Sequence, residues 1–356
     1  MTRSGAWCLI ALAGVLGLAG TVPAAVAAVD VNVYANIGAS NLDPALAGLQ
    51  PMVYVPNERG ASLTVIDATT LKVVKTIQVG SYPHHVTPAW DMRSLFVNNM
   101  RSNSLTVIDP WSMAKAGRVP VAAPYNLYFT PDGTTAVDIA EPLNRIVFYD
   151  RATWAKLGRV GIPSRGPDHA DFSADGSYFL VSTEYGGWVY KIDVAQRAIV
   201  GALKVGGSPV DVKLSADGAI FYVANQGRGG VSLVDPSSMT EIGFLPTGAG
   251  THGFAVSRDG SSLYTSNRRA GTISVIDFAT RAVVATWDVG GSPDMLSGSI
   301  DGTQLWVSNR WNDSVSVIDT SDGHVIARIR VGNAPHGLTY FPQPGRYSLG
   351  HNGVYR

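Results

Sequence analysis

The sequence predicts an all-β fold, a seven-bladed β-propeller closed by pairing of the C-terminal strand with the N-terminal blade. One observation behind this is a repeat. Its cleanest copy, residues 305–337, reads LWVSNRWNDSVSVIDTSDGHVIARIRVGNAPHG. It holds three runs of alternating apolar and polar residues, the mark of strands with one buried face. The second observation is the period. The aspartate ending the SVID-like strand recurs at Asp67, Asp109, Asp150, Asp193, Asp235, Asp277 and Asp319, with gaps of 42, 41, 43, 42, 42 and 42 residues. That spacing falls within the roughly 40–50 residues of one four-stranded propeller blade. The third observation is an offset. The first copy lacks an innermost strand, and an orphan strand, HGLTYF, stands at residues 336–341. Pairing the two seals the ring and removes exposed edges.

The elements follow in order. Residues 1–27 read as a signal peptide, with Arg3 before a short apolar run and a small-residue cleavage site at Ala25-Val26-Ala27. The run is too short for a membrane span. Residues 28–50 form a lead expected along the outside of the ring, and residues 51–342 the propeller. Blade 1 reads MVYVPN, SLTVID and KVVKTIQV; blade 2 starts at His84, blade 3 at Tyr125, blade 4 at Asp168. Blade 5 starts at Val210, blade 6 at His252 and blade 7 at Asp294. Asp-Gly pairs such as Asp175-Gly176 and Asp301-Gly302 sit between the first two strands of their blades, where a hairpin turn needs positive φ. Residues 343–356 read as a loop-like tail.

Composition narrows the function classes. Of 356 residues 46% are hydrophobic, and 39 Gly and 20 Pro mark a turn-rich β protein. Lys and Arg number 27 against 27 Asp and Glu, so no global field recruits nucleic acid or an anionic membrane. Cys8, in the leader, is the single cysteine, which leaves the mature chain without disulfides, thiolate metal sites or covalent haem attachment. No GxSxG, HExxH, P-loop or dinucleotide fingerprint occurs. A hydrolase or nucleotide enzyme therefore has no sequence support and no catalytic residue is assigned; the alternative to a binding protein or scaffold is a haem- or copper-dependent periplasmic enzyme or cofactor-handling protein that uses the channel-mouth histidines.

Aligning the blades on their SxDG turns places two adjacent positions at the mouth of the central channel. The first holds His84, Tyr125, Asp168, Val210, His252, Asp294 and His336; the second holds His85, Asn126, His169, Asp211, Gly253, Met295 and Gly337. Five of the seven histidines fall there, and His324 and His351 lie elsewhere. Neighbouring strand residues point opposite ways, so both sets reach the axis only where the strand starts bulge. Gly253 and Gly337 are expected to leave room for His252 and His336 to turn inward. The loops joining second and third strands carry Arg59, Arg101, Arg228, Arg268, Arg269 and Arg310, with Glu58, Glu141, Glu184 and Trp311.

These residues predict a funnel. The expected ligand-binding set is His84, His85, His169, Asp211, His252, Asp294 and His336, with Arg59, Arg101, Arg228, Arg268 and Arg310 at the rim. Arginine favours flat, bidentate contact with carboxylate or phosphate. The partner is then a small anionic ligand or another protein. Neutral imidazole suits copper, zinc or haem iron, and His85, His169, His252 and His336 are the candidate metal ligands. The competing reading makes each histidine a packing residue hydrogen-bonded to the next blade, and each arginine a salt-bridged rim residue.

The recurring VYVxN, SVID, VxxTIxVG, PHG and SxDG segments resemble the bacterial YVTN-repeat β-propellers across residues 51–342. Related propellers include the haem-binding domain of periplasmic nitrite reductases, the copper-binding propeller of nitrous oxide reductase, and lactonase-like enzymes. The resemblance implies the fold, a periplasmic or secreted location, and a binding or scaffold role; it also implies haem or copper as cofactors to be tested. A shared fold does not transfer an activity.

Overall fold

Each copy of the repeat folds as its alternation dictates. In blade 7 the strands Pro293–Gly298, Gln304–Asn309, Ser314–Asp319 and Val325–Arg330 run antiparallel in that order from the channel outward. The inner strands are buried almost throughout, while the outermost alternates between half-buried and exposed. The computed structural model describes residues 1–2, 32–351 and 355–356, and among these the strands form seven such four-stranded sheets. The expected signal peptide lies outside the described residues apart from Met1 and Thr2. Apolar clusters fill the spaces between neighbouring sheets; one joins Trp306, Val315 and Val317 of blade 7 to Val53, Val55 and Tyr340 of blade 1.

The repeated polar letters are the joints of the blade. Asn309 ends a second strand and donates to Ser314 at 3.3 Å and Ser316 at 2.8 Å on the third. Asn57, Asn99 and Asn267 do the same in their blades. The aspartate that measures the period caps the next turn: Asp319 accepts from the Ser321 amide at 2.8 Å. In the SxDG turn Ser299 donates to Asp301 at 2.5 Å, and Gly302 takes φ 76°, a region side chains avoid.

Thr339–Phe341 pairs antiparallel with Met52–Asn57, placing Tyr340 opposite Val53, and completes blade 1. This strand is shorter than the expected 336–341. Its leading residues turn to blade 2 instead, where the Gly337 amide donates to His84 O at 3.0 Å and Val86 donates to Gly337 O at 2.9 Å.

The lead and the tail both close on the turns between first and second strands, at the end of the channel opposite the mouth. The lead is not a strip along the outside. Tyr34, Ile37, Leu46 and Leu49 are buried in a core cluster with Tyr222, Phe278 and Phe341, and Tyr34 donates to Leu214 O at 2.7 Å. The tail crosses blades 2 to 4. Phe129 N donates to Leu349 O at 3.0 Å, Ser348 donates to Pro88 O at 3.1 Å, and Arg356 reaches Asp171 at 3.0 Å.

Candidate functional site

Five inner strands share one distortion. In blade 2 Pro83 faces Asn99 and Val86 faces Val97, so three steps on one strand match two on the other. The same shift lies between Pro167 and Ala170, Pro209 and Val212, Thr251 and Phe254, and Pro293 and Leu296. A bulge of this kind breaks strict alternation. It lets adjacent residues such as His84 and His85 both face the channel centre, with ring centroids 4.5 Å apart.

His84, His252 and Asp294, each the first residue inside its bulge, build a charged cluster at the mouth together with His336. Asp294 is fully buried and gathers three partners from two other blades: His252 Nδ1 at 2.9 Å, His336 Nδ1 at 2.9 Å, and the Arg268 guanidinium, whose Nε donates at 3.1 Å. Burial alone would raise its pKa, yet Arg268, His252 and His336 together hold it well below the ordinary carboxylate value. Glu58 accepts from Arg310 at 2.6 Å and sits 2.8 Å from His84 Nε2. Its carboxyl is raised by burial, against the pull of Arg310. Arg310 also reaches His336 Nδ1 at 2.8 Å, and its own pKa is raised because Glu58 and Asp294 outweigh burial.

A cavity of about 240 Å³ lies over this cluster. His84, His252, His336, Tyr125, Arg268 and Arg310 line it, together with Tyr82, Met100, Glu141, Glu184 and Tyr185. Burial, and then the nearby Asp168, push both Glu141 and Glu184 up to about 7. The cavity therefore holds guanidinium groups and half-protonated carboxyls near neutral pH.

A second cluster comprises His85, His169 and His351. All three rings are buried, with centroids 5.1 Å apart for His85 and His169, 3.9 Å for His85 and His351, and 5.4 Å for His169 and His351. The Tyr125 carbonyl accepts from His85 Nδ1 at 2.8 Å, and the Asp168 carboxylate holds His169 Nδ1. Tyr125 OH donates to the same Asp168 oxygen at 3.0 Å. Burial drives His85 and His351 well below the ordinary imidazole pKa, while Asp168 and Asp211 overcome burial and raise that of His169.

The structure thus gathers His84, His85, His169, His252, His336, Asp294, Arg268 and Arg310 in one channel. It places the other expected residues elsewhere. Asp211 ties the inner strands of blades 5 and 6, accepting from Val212 N and Phe254 N, each at 2.8 Å. Arg59 and Arg101 line a separate outer pocket with Ser81, and Arg101 stacks over Tyr82 at 4.2 Å. Arg228 turns outward to Glu241 at 2.6 Å and lies over Phe244. The space left by Gly253 and Gly337 serves other residues than expected. A Cβ on Gly253 would meet Asp294 O at 2.5 Å, and one on Gly337 would meet His85 Cδ2 at 1.9 Å and His351 Cε1 at 2.9 Å.

Sequence reasoning missed His351, Tyr82 and Tyr185. His351 belongs to no repeat and reaches the centre only because the tail folds under the ring. His252, expected among the metal ligands, takes part in neither group of histidines with clustered ligand atoms: these are His84, His85 and His336, and His85, His169 and His351. His324 is exposed beside Asp322, away from the channel.

The family described as YNCE-like beta-propeller matches residues 3–344. No curated protein sequence matches. Among solved structures the chain is similar to hydrazine synthase of Kuenenia stuttgartiensis, with TM-score 0.66 and 21% identity over 85% of this chain and 99% of that one. It is also similar to a functionally unknown protein from Desulfotomaculum acetoxidans, with TM-score 0.69 and 18% identity over 81% of this chain and 98% of that one. Dihydro-heme d1 dehydrogenase NirN aligns with TM-score 0.63 and 15% identity, covering 82% of this chain and 75% of that one. At these identities the likeness is one of fold. Among the described residues no helix is long and apolar enough to cross a membrane.

Proposed function

We propose, for a chain that belongs to the YNCE-like β-propeller family, that it is an exported binding protein whose channel mouth takes a small carboxylate-bearing ligand. One observation carries this reading: the cavity over Asp294 presents Arg268 and Arg310 beside imidazoles and phenols, in a space of about 240 Å³. Guanidinium forks match carboxylate geometry. Glu141 and Glu184 line the same cavity and can donate hydrogen bonds while protonated. The leader at residues 1–27 supports delivery to the periplasm or exterior.

The same volume argues against haem in the mouth. Pockets for drug-sized ligands span about 300–1,000 Å³, so a cavity of about 240 Å³ favours a small ligand over a porphyrin.

The test is a thermal-shift and calorimetric series with acetate, succinate, citrate and inorganic phosphate. We expect at least one carboxylate to bind wild type and Arg228→Ala alike, and to lose at least tenfold in affinity with Arg310→Gln. Binding that ignores Arg310→Gln, or no binding by any carboxylate, removes the reading.

A further inference from the structure

We infer that the deep cluster is a metal site: His85, His169 and a ring nitrogen of His351 hold one copper or zinc ion beneath the mouth cavity. Four observations carry this.

The first is unmet valence. His85 Nε2, His169 Nε2 and both ring nitrogens of His351 are buried without a hydrogen-bond partner among the described residues. A buried polar atom left unpaired is costly, and here the unpaired atoms converge. The second is spacing. One ligand atom from each of the three rings lies within 4.8 Å of the others. An ion with metal–nitrogen bonds of about 2.0–2.1 Å in tetrahedral geometry sets its ligands roughly 3.4 Å apart. Ring rotation closes the difference, and no hydrogen bond holds either nitrogen of His351 among the described residues.

The third observation is orientation. A metal-bound histidine commonly donates its other N–H to a carboxylate or a backbone carbonyl, which fixes the tautomer and aims the lone pair. Asp168 does this for His169 and the Tyr125 carbonyl does it for His85. The alternative trio of His84, His85 and His336 lacks this pattern. His84 uses Nδ1 on His85 at 3.0 Å and meets Glu58 with Nε2 at 2.8 Å, so it has no nitrogen left. The fourth is room made by a missing side chain: Gly337 packs so tightly on His85 and His351 that any Cβ would displace them.

The donor set selects the ion. Three imidazoles without thiolate or carboxylate suit copper or zinc, whereas calcium and magnesium require oxygen ligands. Asp168 is a positioning residue. His351 comes from beyond the closing strand, so the tail has a task other than sealing the ring.

The experiment uses the full chain, stripped with chelator and offered zinc or copper in separate arms, followed by desalting and metal analysis. Close to one ion per chain is expected in at least one arm. Less than a quarter of an ion in both arms overturns the inference. His351→Gln is expected to weaken binding at least tenfold, with unchanged circular dichroism, and the exposed His324→Ala to leave it unchanged. Equal affinity in a folded His351→Gln variant overturns it. If that variant fails to fold, an anomalous difference map of the loaded wild-type crystal decides. An ion bonded to His85, His169 and His351 supports the site, and an ion anywhere else overturns it. Arg310→Gln separates this inference from the mouth reading, because it removes carboxylate binding and leaves the ion in place.

Discussion

The mouth cluster and the deep cluster meet at the bulge of blade 2, where His84 serves one and His85 the other, yet they are opposites. At the mouth the central carboxylates are ion-paired: Asp294 with Arg268, His252 and His336, and Glu58 with Arg310. In the deep cluster His85, His169 and His351 keep unpartnered ring nitrogens. The mouth is a network of ion pairs, whereas the deep cluster leaves a ring nitrogen of each of its three histidines without a hydrogen bond. Closure makes the mouth a rigid rim around a cavity. The centre keeps buried donor atoms that no described residue satisfies.

The sharpest way to break the comparison is to open the closed half. Asp294→Asn keeps the shape and removes the charge that Arg268, His252 and His336 share. Removing one partner of a buried pair costs about 3–5 kcal/mol, and Asp294 is fully buried. Denaturant unfolding should show a loss in that range. In the folded fraction the deep cluster should still take its ion, because no ligand there contacts Asp294. Equal loss at both clusters would show that they are one unit.

The converse variant disturbs the open half. Gly337→Ala places a methyl group 1.9 Å from His85 Cδ2. Overpacking of a core costs about 1–3 kcal/mol. We expect a stability loss of that size, together with loss of copper or zinc uptake and retained carboxylate binding. Calorimetry with both probes checks it, and intact ion uptake would show that His85 can move without cost.

How these halves relate to the sequence is instructive. The blades were legible because Asp67 through Asp319 repeat a local chemistry, the capping of a turn, that needs no tertiary context. The mouth was legible in part, because His84, His252, Asp294 and His336 hold equivalent repeat positions. The bulge that turns both positions inward was expected only as a condition. His351 was not legible: it stands in a segment with no counterpart in any blade, and its place depends on how the tail crosses Pro88, Phe129 and Phe172. The rim was misread for a similar reason. Arginines at like loop positions choose partners according to the next outer strand, as Glu241 does for Arg228.

Glu184 offers a milder test that sharpens the mouth. Burial and Asp168 raise its pKa to about 7, above the ordinary value of 4.5. Its contribution to stability is complete below pH 4.5 and is lost as pH rises through 7, when the folded protein must carry the charge. Glu184→Gln cannot ionise and keeps that contribution. The variant should match wild type near pH 4.5 and exceed it by on the order of 1–2 kcal/mol at pH 8. Melting curves at the two pH values read the difference. A constant offset would mean that the side chain matters by shape alone.

The smallest effect should come from Arg228, and it defines where the site ends. Arg228 and Arg268 leave equivalent loops of blades 5 and 6, both rich in hydrogen bonds. Arg268 is buried on Asp294, whereas Arg228 is exposed and spreads over Val205 O at 3.0 Å, Ser232 at 3.3 Å and Glu241 at 2.6 Å. An exposed ion pair contributes about 0–1 kcal/mol. Arg228→Ala should therefore cost less than about 1 kcal/mol and leave both carboxylate and metal binding unchanged. Arg268→Ala should cost several times more, since it strips Asp294 of its nearest cation. Parallel unfolding curves measure the ratio. Similar losses for the two arginines would mean that burial on Asp294 contributes nothing, and the distinction between a closed mouth and a solvated rim would fall with it.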